Sequence, residues 1–512
     1  MILENGLIRT LDAALPTARA LAIAGDRVAG GVGVHELALP TQERVNLGGR
    51  CVVPGFVDAH THFLSWALSR SMLDLEGCDT RAEVATRVAE SARTLERGAW
   101  LLGRGWREGD WSDGAPPHRE TLDSACEDVP AALVSKDGHS LWLNTAAIKT
   151  ATVRLDELGA IVERDSTGEP TGVLREEAAW DFQHRAVQVS DSQAREAMRE
   201  ALRIANARGV TAVHDQDGGR GILPHWQALR DRAQLSLRVW QTLPADQLPQ
   251  LVKLGLSSGF GDELLRLGHL KVFMDGALGS STANLIDGGG IVLTSASELE
   301  AIARQAATAG WPLSIHAIGD QANRDALDAL EASREAWEPL GLRHRVEHAQ
   351  LVDAADLGRF AELGIACSVQ FSHATSDRDI AEQQWATRLD GAYAYASLAA
   401  TGALLANGSD APVEDLDPLA GICAGAFRTL DERPPWRPRE SLSPLEALEA
   451  TTVGPAWLEG AERTRGRLVP GALADLVVLS ADPLGEDLAS GRLEVVATML
   501  GGRWVHAPPP WD

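Results

Sequence analysis

The chain has 512 residues, 45% hydrophobic and 23% charged, with a formal net charge of −25 at pH 7. Such an acidic balance argues against nucleic acid or anionic membrane as partners, since both are polyanions, and no apolar run reaches the roughly 18 residues of a membrane span. The length exceeds that of a usual single domain, so one large domain with smaller parts attached is expected.

Along the chain, residues 1–50 read as short strands separated by turns, at 6–10, 18–23 and 27–30. Residues 455–512 carry similar runs at 474–479, 495–500 and 501–505. Chain ends commonly lie close together, so 1–50 and 455–512 are expected to form a composite β-sandwich beside a main domain over 51–454. That domain opens with Val52-Val53-Pro54-Gly55-Phe56-Val57-Asp58-Ala59-His60-Thr61-His62. Strand side chains repeat every second residue, so Asp58, His60 and His62 share a face and two imidazoles converge.

Residues 64–200 are too many for a simple connection and predict an insertion with structure of its own. Within it, Ser135-Lys136-Asp137-Gly138-His139-Ser140-Leu141-Trp142 contains an Asp-Gly turn signal. Lys136, Asp137 and His139 are crowded together with few apolar neighbours, which suits a substrate-facing loop or, alternatively, a surface turn. Trp142, with Trp106, Trp111 and Trp180, is a candidate wall of an apolar pocket.

Strand-like runs follow at 210–214, 235–240, 270–274, 313–316, 344–348, 365–369 and 404–407, with helical stretches such as 297–309 and 321–335 between them. Counting 51–57, these make the eight strands of an α/β (β/α)8 TIM barrel, whose chemistry collects at the C-terminal strand ends. A metal site assembled there needs His, Asp, Glu or a modified Lys. Lys271, His316, His348 and Asp410 each close such a run. His214 and Asp215 end the second strand, where either substrate contact or support is open. Asp320 is expected to cap a helix or stand behind the site. Glu347, next to His348, is expected to face the other side of its strand.

Five cysteines, at 51, 78, 126, 367 and 423, are scattered and form no C-x-x-C. Together with a start, Met1 to Gly6, that lacks a signal-peptide pattern, they lead to an expectation of a reducing cytoplasm.

The chain resembles the metal-dependent amidohydrolase superfamily, in the branch similar to N-substituted formamide deformylases. The resemblance runs nearly end to end. It is carried by the segment from Pro54 to His62, Lys136-Asp137-Gly138-His139-Ser140, Lys271-Val272-Phe273-Met274-Asp275-Gly276-Ala277-Leu278-Gly279, His316-Ala317-Ile318-Gly319-Asp320, Glu347-His348-Ala349-Gln350, Ser372-His373-Ala374-Thr375-Ser376-Asp377 and Gly408-Ser409-Asp410-Ala411-Pro412, and it extends to the closing segment from Gly466 to Val478.

It implies a binuclear centre, with zinc the expected metal. His60, His62 and Asp410 would hold the buried ion, and His316 and His348 the more exposed one. Lys271 would bridge both as a CO2-derived carbamate, because an ammonium with a reference pKa of ~10.4 has no lone pair to offer. The alternative for Lys271 is an ion pair with Asp275. The implied reaction is hydrolysis of a non-peptide amide, N-formyl or N-acyl C–N bond by a metal-bridging hydroxide, with Asp410 as the proton carrier. His139 and His373 are candidate donors to the substrate oxygen, and Asp137 and Trp142 complete the expected substrate contacts. The expected partner is a small molecule, with homodimerisation left open. Two other functions compete. A deaminase of a small heterocycle would want one metal and no bridging lysine, and an inactive amidohydrolase-like structural protein should have lost ligands, yet all six positions here carry competent side chains.

Overall fold

The computed structural model describes residues 1–30, 43–96, 98–151, 153–158, 162–187 and 189–511. Its centre is a ring of eight parallel strands: β1 (Phe56–Thr61), β2 (Val210–Asp215), β3 (Arg238–Pro244), β4 (Leu265–Phe273), β5 (Leu313–Ala317), β6 (Arg345–His348), β7 (Ala366–Val369) and β8 (Leu405–Asn407). Each pairs with the next in parallel register. Strands β1, β5, β6, β7 and β8 are buried at every residue, as expected when a parallel sheet is covered on both faces. The two ends of the sheet meet just beyond β8, where the Asp410 N–H donates to His60 O at 2.7 Å. This is the TIM barrel expected from the strand and helix alternation.

The helical stretch expected at 297–309 is Ala296–Thr308, started by a capping box between Ser295 and Glu298. The stretch expected at 321–335 is Asp320–Ala332, followed by a separate turn, Arg334–Trp337. Gly319 is the N-cap of the first of these. Asp320 instead accepts the Ile286 N–H at 2.9 Å and pairs with Arg388 at 2.7 Å, tying two loops at the barrel mouth.

Both termini contribute to one sheet beside the barrel, in the order Arg503–His506, Val495–Leu500, Leu476–Leu479, Cys51–Pro54, Ile2–Arg9, Thr17–Ala24, Arg27–Gly30, with Arg44–Asn46 also on Ile2–Arg9. The run expected as a single first strand, 51–57, is therefore divided. Cys51–Pro54 pairs antiparallel with Leu476–Leu479, and the barrel begins at Phe56. Gly55 is the joint, and a Cβ there would fall 2.2 Å from Thr211 Oγ1. The insertion builds a third sheet, ordered Val162–Arg164, Pro170–Arg175, Ser140–Leu143, Ala131–Ser135, Leu101–Trp106, Leu73–Asp74. Among the described residues no helix is long and apolar enough to cross a membrane.

The seam between β8 and β1 depends on a missing side chain. A Cβ on Gly408 would lie 2.3 Å from His60 N and 2.9 Å from its Cα, and backbone cannot yield as a flexible side chain can. Gly408→Ala should therefore lower stability by at least the ~1–3 kcal/mol typical of overpacking. Gly358→Ala, in the helix Leu357–Leu363 with only Glu362 Oε1 near, at 3.7 Å, should be neutral or stabilising by up to ~1 kcal/mol. Thermal melts of the two variants beside the parent check this contrast.

Candidate metal centre

At the C-terminal end of β1 the alternation expected from sequence holds, and His60 and His62 turn toward the same carboxylate. Their Nε2 atoms each lie 3.4 Å from Asp410 Oδ1. On the far side of each ring, Nδ1 meets another carboxylate: Glu347 Oε2 at 2.7 Å for His60 and Asp217 Oδ1 at 3.1 Å for His62. A carboxylate at Nδ1 keeps the proton there and turns the Nε2 lone pair inward, the usual way metal-binding imidazoles are oriented. His60 Nε2 is buried and has no hydrogen-bond partner among the described residues. An orphaned acceptor in a protein interior is costly, and two nitrogens with one carboxylate oxygen form a donor set that fits a divalent cation. His60, His62 and Asp410 would hold it.

His348 extends this cluster across the mouth. Its ring centroid lies 4.9 Å from that of His60 and 4.6 Å from that of His316. Its Nδ1 faces Gln370 Oε1 at 2.8 Å, which leaves Nε2 as the free donor. His316 donates from Nε2 to Gly276 O at 3.0 Å, which leaves Nδ1. Burial pushes both rings well below the ordinary histidine range. For His60, burial and then the Lys271 charge push it down to about 4; a neutral ring is a competent ligand. His62 behaves oppositely: although burial opposes the charged ring, Asp217 and Asp410 raise it to about 9. The same negative charge that holds a proton on His62 would favour a metal cation in its place.

Lys271, inward on β4, is buried, and burial lowers it to about 8. Its Nζ lies 5.1 Å from the Phe273 ring centroid. The alternative ion pair with Asp275 is not formed. Asp275 instead accepts backbone N–H groups from Asn284, Ile318 and Gly319 at 2.9, 3.0 and 2.9 Å, tying the loops after β4 and β5 together. The backbone at the mouth is also unusual. His348, Ala349 and Asp410 have φ of 73°, 41° and 58°, and left-handed non-glycine residues of this kind cluster at functional sites.

Of the residues expected to contact substrate, His373 reaches the cluster. Its ring stacks parallel to His348 at 6.3 Å and its Nε2 lies 3.9 Å from Asp410 Oδ2. His139, from the insertion, sits with its ring centroid 5.5 Å from that of His316. Asp137 lies in the turn before it, where it accepts the His139 N–H at 3.0 Å. Trp142 is placed elsewhere. It is fully buried among Trp106 and Trp111 in the core of the insertion, each centroid 5.8 Å away. The dense indoles that suggested a pocket wall pack on one another instead, and of the four only Trp180 touches the site, against His139.

One neighbour of the cluster departs from its sequence reading, and another, left open between substrate contact and support, takes the supporting place. Glu347 does not turn away from the site, since it bonds His60 inside the barrel; strict alternation fails at the next residue, where His348 takes its positive φ. His214 is buried between Glu459 and Arg345, at 2.9 Å from each, and serves the barrel interior. Asp217 escaped detection because it lies in the turn Asp217–Arg220 beyond β2, where strand periodicity no longer speaks.

Replacing the carboxylates behind the imidazoles separates metal binding from folding. Asp217→Asn should weaken metal binding by about 10- to 100-fold, the usual cost of losing such a partner, with little change in melting. Glu347→Gln should also lower stability, because Arg345, 2.6 Å away and buried, loses its counter-charge, and breaking a buried pair typically costs ~3–5 kcal/mol. Metal titration combined with melting of metal-free protein distinguishes the two effects.

The chain is similar to several known proteins over nearly its whole length. A model of the amidohydrolase family matches residues 43–506. The chain is 32% identical to the Arabidopsis thaliana protein LONG AFTER FAR-RED 3, over 99% of this chain and 91% of that protein. It is 27% identical to an N-substituted formamide deformylase of Arthrobacter pascens, over 98% and 97%. Among solved structures, an uncharacterized metal-dependent hydrolase from Pyrococcus horikoshii OT3 superposes with a TM-score of 0.77 at 27% identity, covering 94% of this chain and 98% of that one. With a family match spanning most of its length and a barrel whose strand ends gather histidines around Asp410, the chain belongs to the amidohydrolase family.

Proposed function

We propose that this amidohydrolase cleaves a C–N bond in a small non-peptide amide, N-formyl or N-acyl compound, using two divalent ions, zinc being the best match to the donors, and a Lys271 carrying a CO2-derived carbamate. The observation that carries the reading is the convergence of His60 Nε2 and His62 Nε2 on one oxygen of Asp410, each ring held from behind by a carboxylate. His316 and His348 would hold the second ion. Lys271 supports a two-ion centre over the single-ion centre of a deaminase: it is buried, has no carboxylate partner among the described residues, and its lowered pKa makes the free amine needed for reaction with CO2 more available. The formamide deformylase among the relatives supports the bond type. A small molecule in the cytoplasm is the proposed substrate.

Ions bound there would acidify a water toward a pKa of ~7 and polarise the scissile carbonyl. The chain supplies the proton handling. Asp410 faces both imidazoles through Oδ1, while Oδ2 lies 3.9 Å from His348 Nδ1 and from His373 Nε2. One oxygen can thus serve the cation while the other takes a proton from the attacking water and returns it to the leaving nitrogen.

Metal analysis of protein purified without chelator, with a screen of N-formyl, N-acyl and carbamate compounds, tests the reading; two ions and turnover of an amide are expected, and turnover of an aminated heterocycle alone would overturn it. Lys271→Ala should lose metal and activity, and a short carboxylic acid supplied with metal should restore part of both. Asp410→Asn should keep much of its metal yet lose at least the ~10² to 10⁴ in rate that a general acid or base supplies, with less loss for substrates whose leaving group needs no proton.

A further inference from the structure

The insertion sends one buried carboxylate to the barrel mouth, and the metal ligands do not use it. Glu176 is fully buried and holds a left-handed φ of 52° with ψ of −130° at the start of the helix Glu177–Ala186. A strained, desolvated glutamate is costly unless its bonds are specific. They are. Glu176 Oε2 meets His139 Nδ1 at 2.6 Å, Oε1 accepts from Thr282 Oγ1 at 2.8 Å, and the Glu176 N–H donates to His139 O at 2.7 Å. Room for this arrangement comes from Gly276, where a Cβ would lie 2.6 Å from Glu176 Oε1 and 2.0 Å from Thr282 Oγ1. The same glycine gives its carbonyl to His316. Trp180 closes the far side, its ring 5.3 Å from those of His139 and Phe273 and its Nε1 donating to Gly138 O at 2.9 Å. The His139 ring is therefore fixed on every side except at Nε2, which has no partner among the described residues.

Resting on the hydrolase reading above, we infer that Glu176 is a positioning residue for His139, and that the pair forms a carboxylate–imidazole unit lent by the insertion to hydrogen-bond the acyl oxygen of the substrate through His139 Nε2. The glutamate sets the ring plane through Nδ1, and because no arginine or lysine stands beside its buried carboxylate among the described residues, as Arg345 does beside Glu347, the ring 2.6 Å away is its counter-charge and donates from Nε2. The ring stands beside His316, and in this role it faces the acyl oxygen as that oxygen gains charge when its carbon is attacked. A donor aimed at such an oxygen is typically worth ~10² to 10³ in rate. No bond is made or broken in this role, and the proton stays on His139.

Three measurements on the full-length, metal-loaded protein test the pair: metal content, kcat and KM on an N-acyl or N-formyl substrate, and the affinity for acetate, a product-like carboxylate, by calorimetry. His139→Gln should keep its metal, lose about 100-fold in kcat with KM changed much less, and bind acetate several-fold more weakly. Added imidazole should restore part of the activity of His139→Ala. Glu176→Gln, nearly isosteric, should reproduce a milder form of the same pattern and should shift the far-downfield proton resonance expected of the 2.6 Å bond. Unchanged acetate affinity in His139→Gln, or loss of metal in step with activity, would overturn the inference. Failure of the unmodified protein to hydrolyse any amide would count against the hydrolase reading instead, and the acetate and proton measurements would still decide the role of the pair.

Discussion

A carboxylate that water does not reach, that of Glu347, sets the order of the barrel interior. It accepts from Ser314 Oγ at 2.5 Å, pairs with Arg345 Nε at 2.6 Å and holds His60 Nδ1 at 2.7 Å. A lone charge there would cost several kcal/mol, so the arginine is obligatory, and its Nη1 carries the contacts onward. It donates to Ala59 O and lies 2.9 Å from His214 Nδ1, whose Nε2 meets Glu459, which pairs with Arg465. A chain of polar contacts thus runs through the barrel from the segment preceding Leu476–Leu479 to His60. Its consequence is orientation: His60 can adopt only the ring plane that sends Nε2 to Asp410.

The other end of that contact is fixed by backbone rather than by charge. Asp410 takes a φ of 58° immediately after a β8 seam that only Gly408 permits, and Asp58 Oδ1 clamps the seam by accepting N–H groups from His60 at 3.1 Å and Ser409 at 3.0 Å. Positive φ at a non-glycine residue costs of order 1–3 kcal/mol, and three such residues in one mouth persist only because closed strands and buried ion pairs over-determine them. Stability held in the barrel wall is thus spent on aiming side chains at its rim, a trade commonly found at reactive sites.

Much of this was legible from the amino-acid sequence, for identifiable reasons. Buried strands read as apolar runs, and a ligand at the end of each run stands out because polarity appears abruptly, as at His316 after Leu313-Ser314-Ile315. Period-two alternation placed His60 and His62 together. What escaped were relations that periodicity does not encode. Glu347 faces inward because the chain departs from strand geometry at His348. Trp142 has the alternation and size of a pocket residue, yet three indoles bury more surface against one another than against a polar cleft. Cys51–Pro54 and Phe56–Thr61 look like one strand because the break is a single glycine whose necessity comes from Thr211, about 150 residues away in sequence. Glu176 lies 37 residues from His139, with no local pattern to join them.

The sources of the mouth residues follow a division of labour. Every proposed metal ligand comes from a barrel strand end, where position is set by the closed sheet. The groups that would meet substrate come from the insertion and from loops that grip it: Arg107 holds Asp377 at 2.9 Å, Lys136 pairs with Glu414 at 3.4 Å, and Glu176 holds Thr282 at 2.8 Å. The Arg107 contact reaches further, since Asp377 also accepts from Tyr393 Oη at 2.8 Å and ends the short helix His373–Ser376 that carries His373. The insertion can therefore change in sequence and alter what enters the mouth without disturbing the ligands, provided these three clasps are kept. In a fold where the proposed ligands and the proposed substrate contacts sit on separate elements, relatives at 27 to 32% identity can share the barrel while the walls around its mouth diverge.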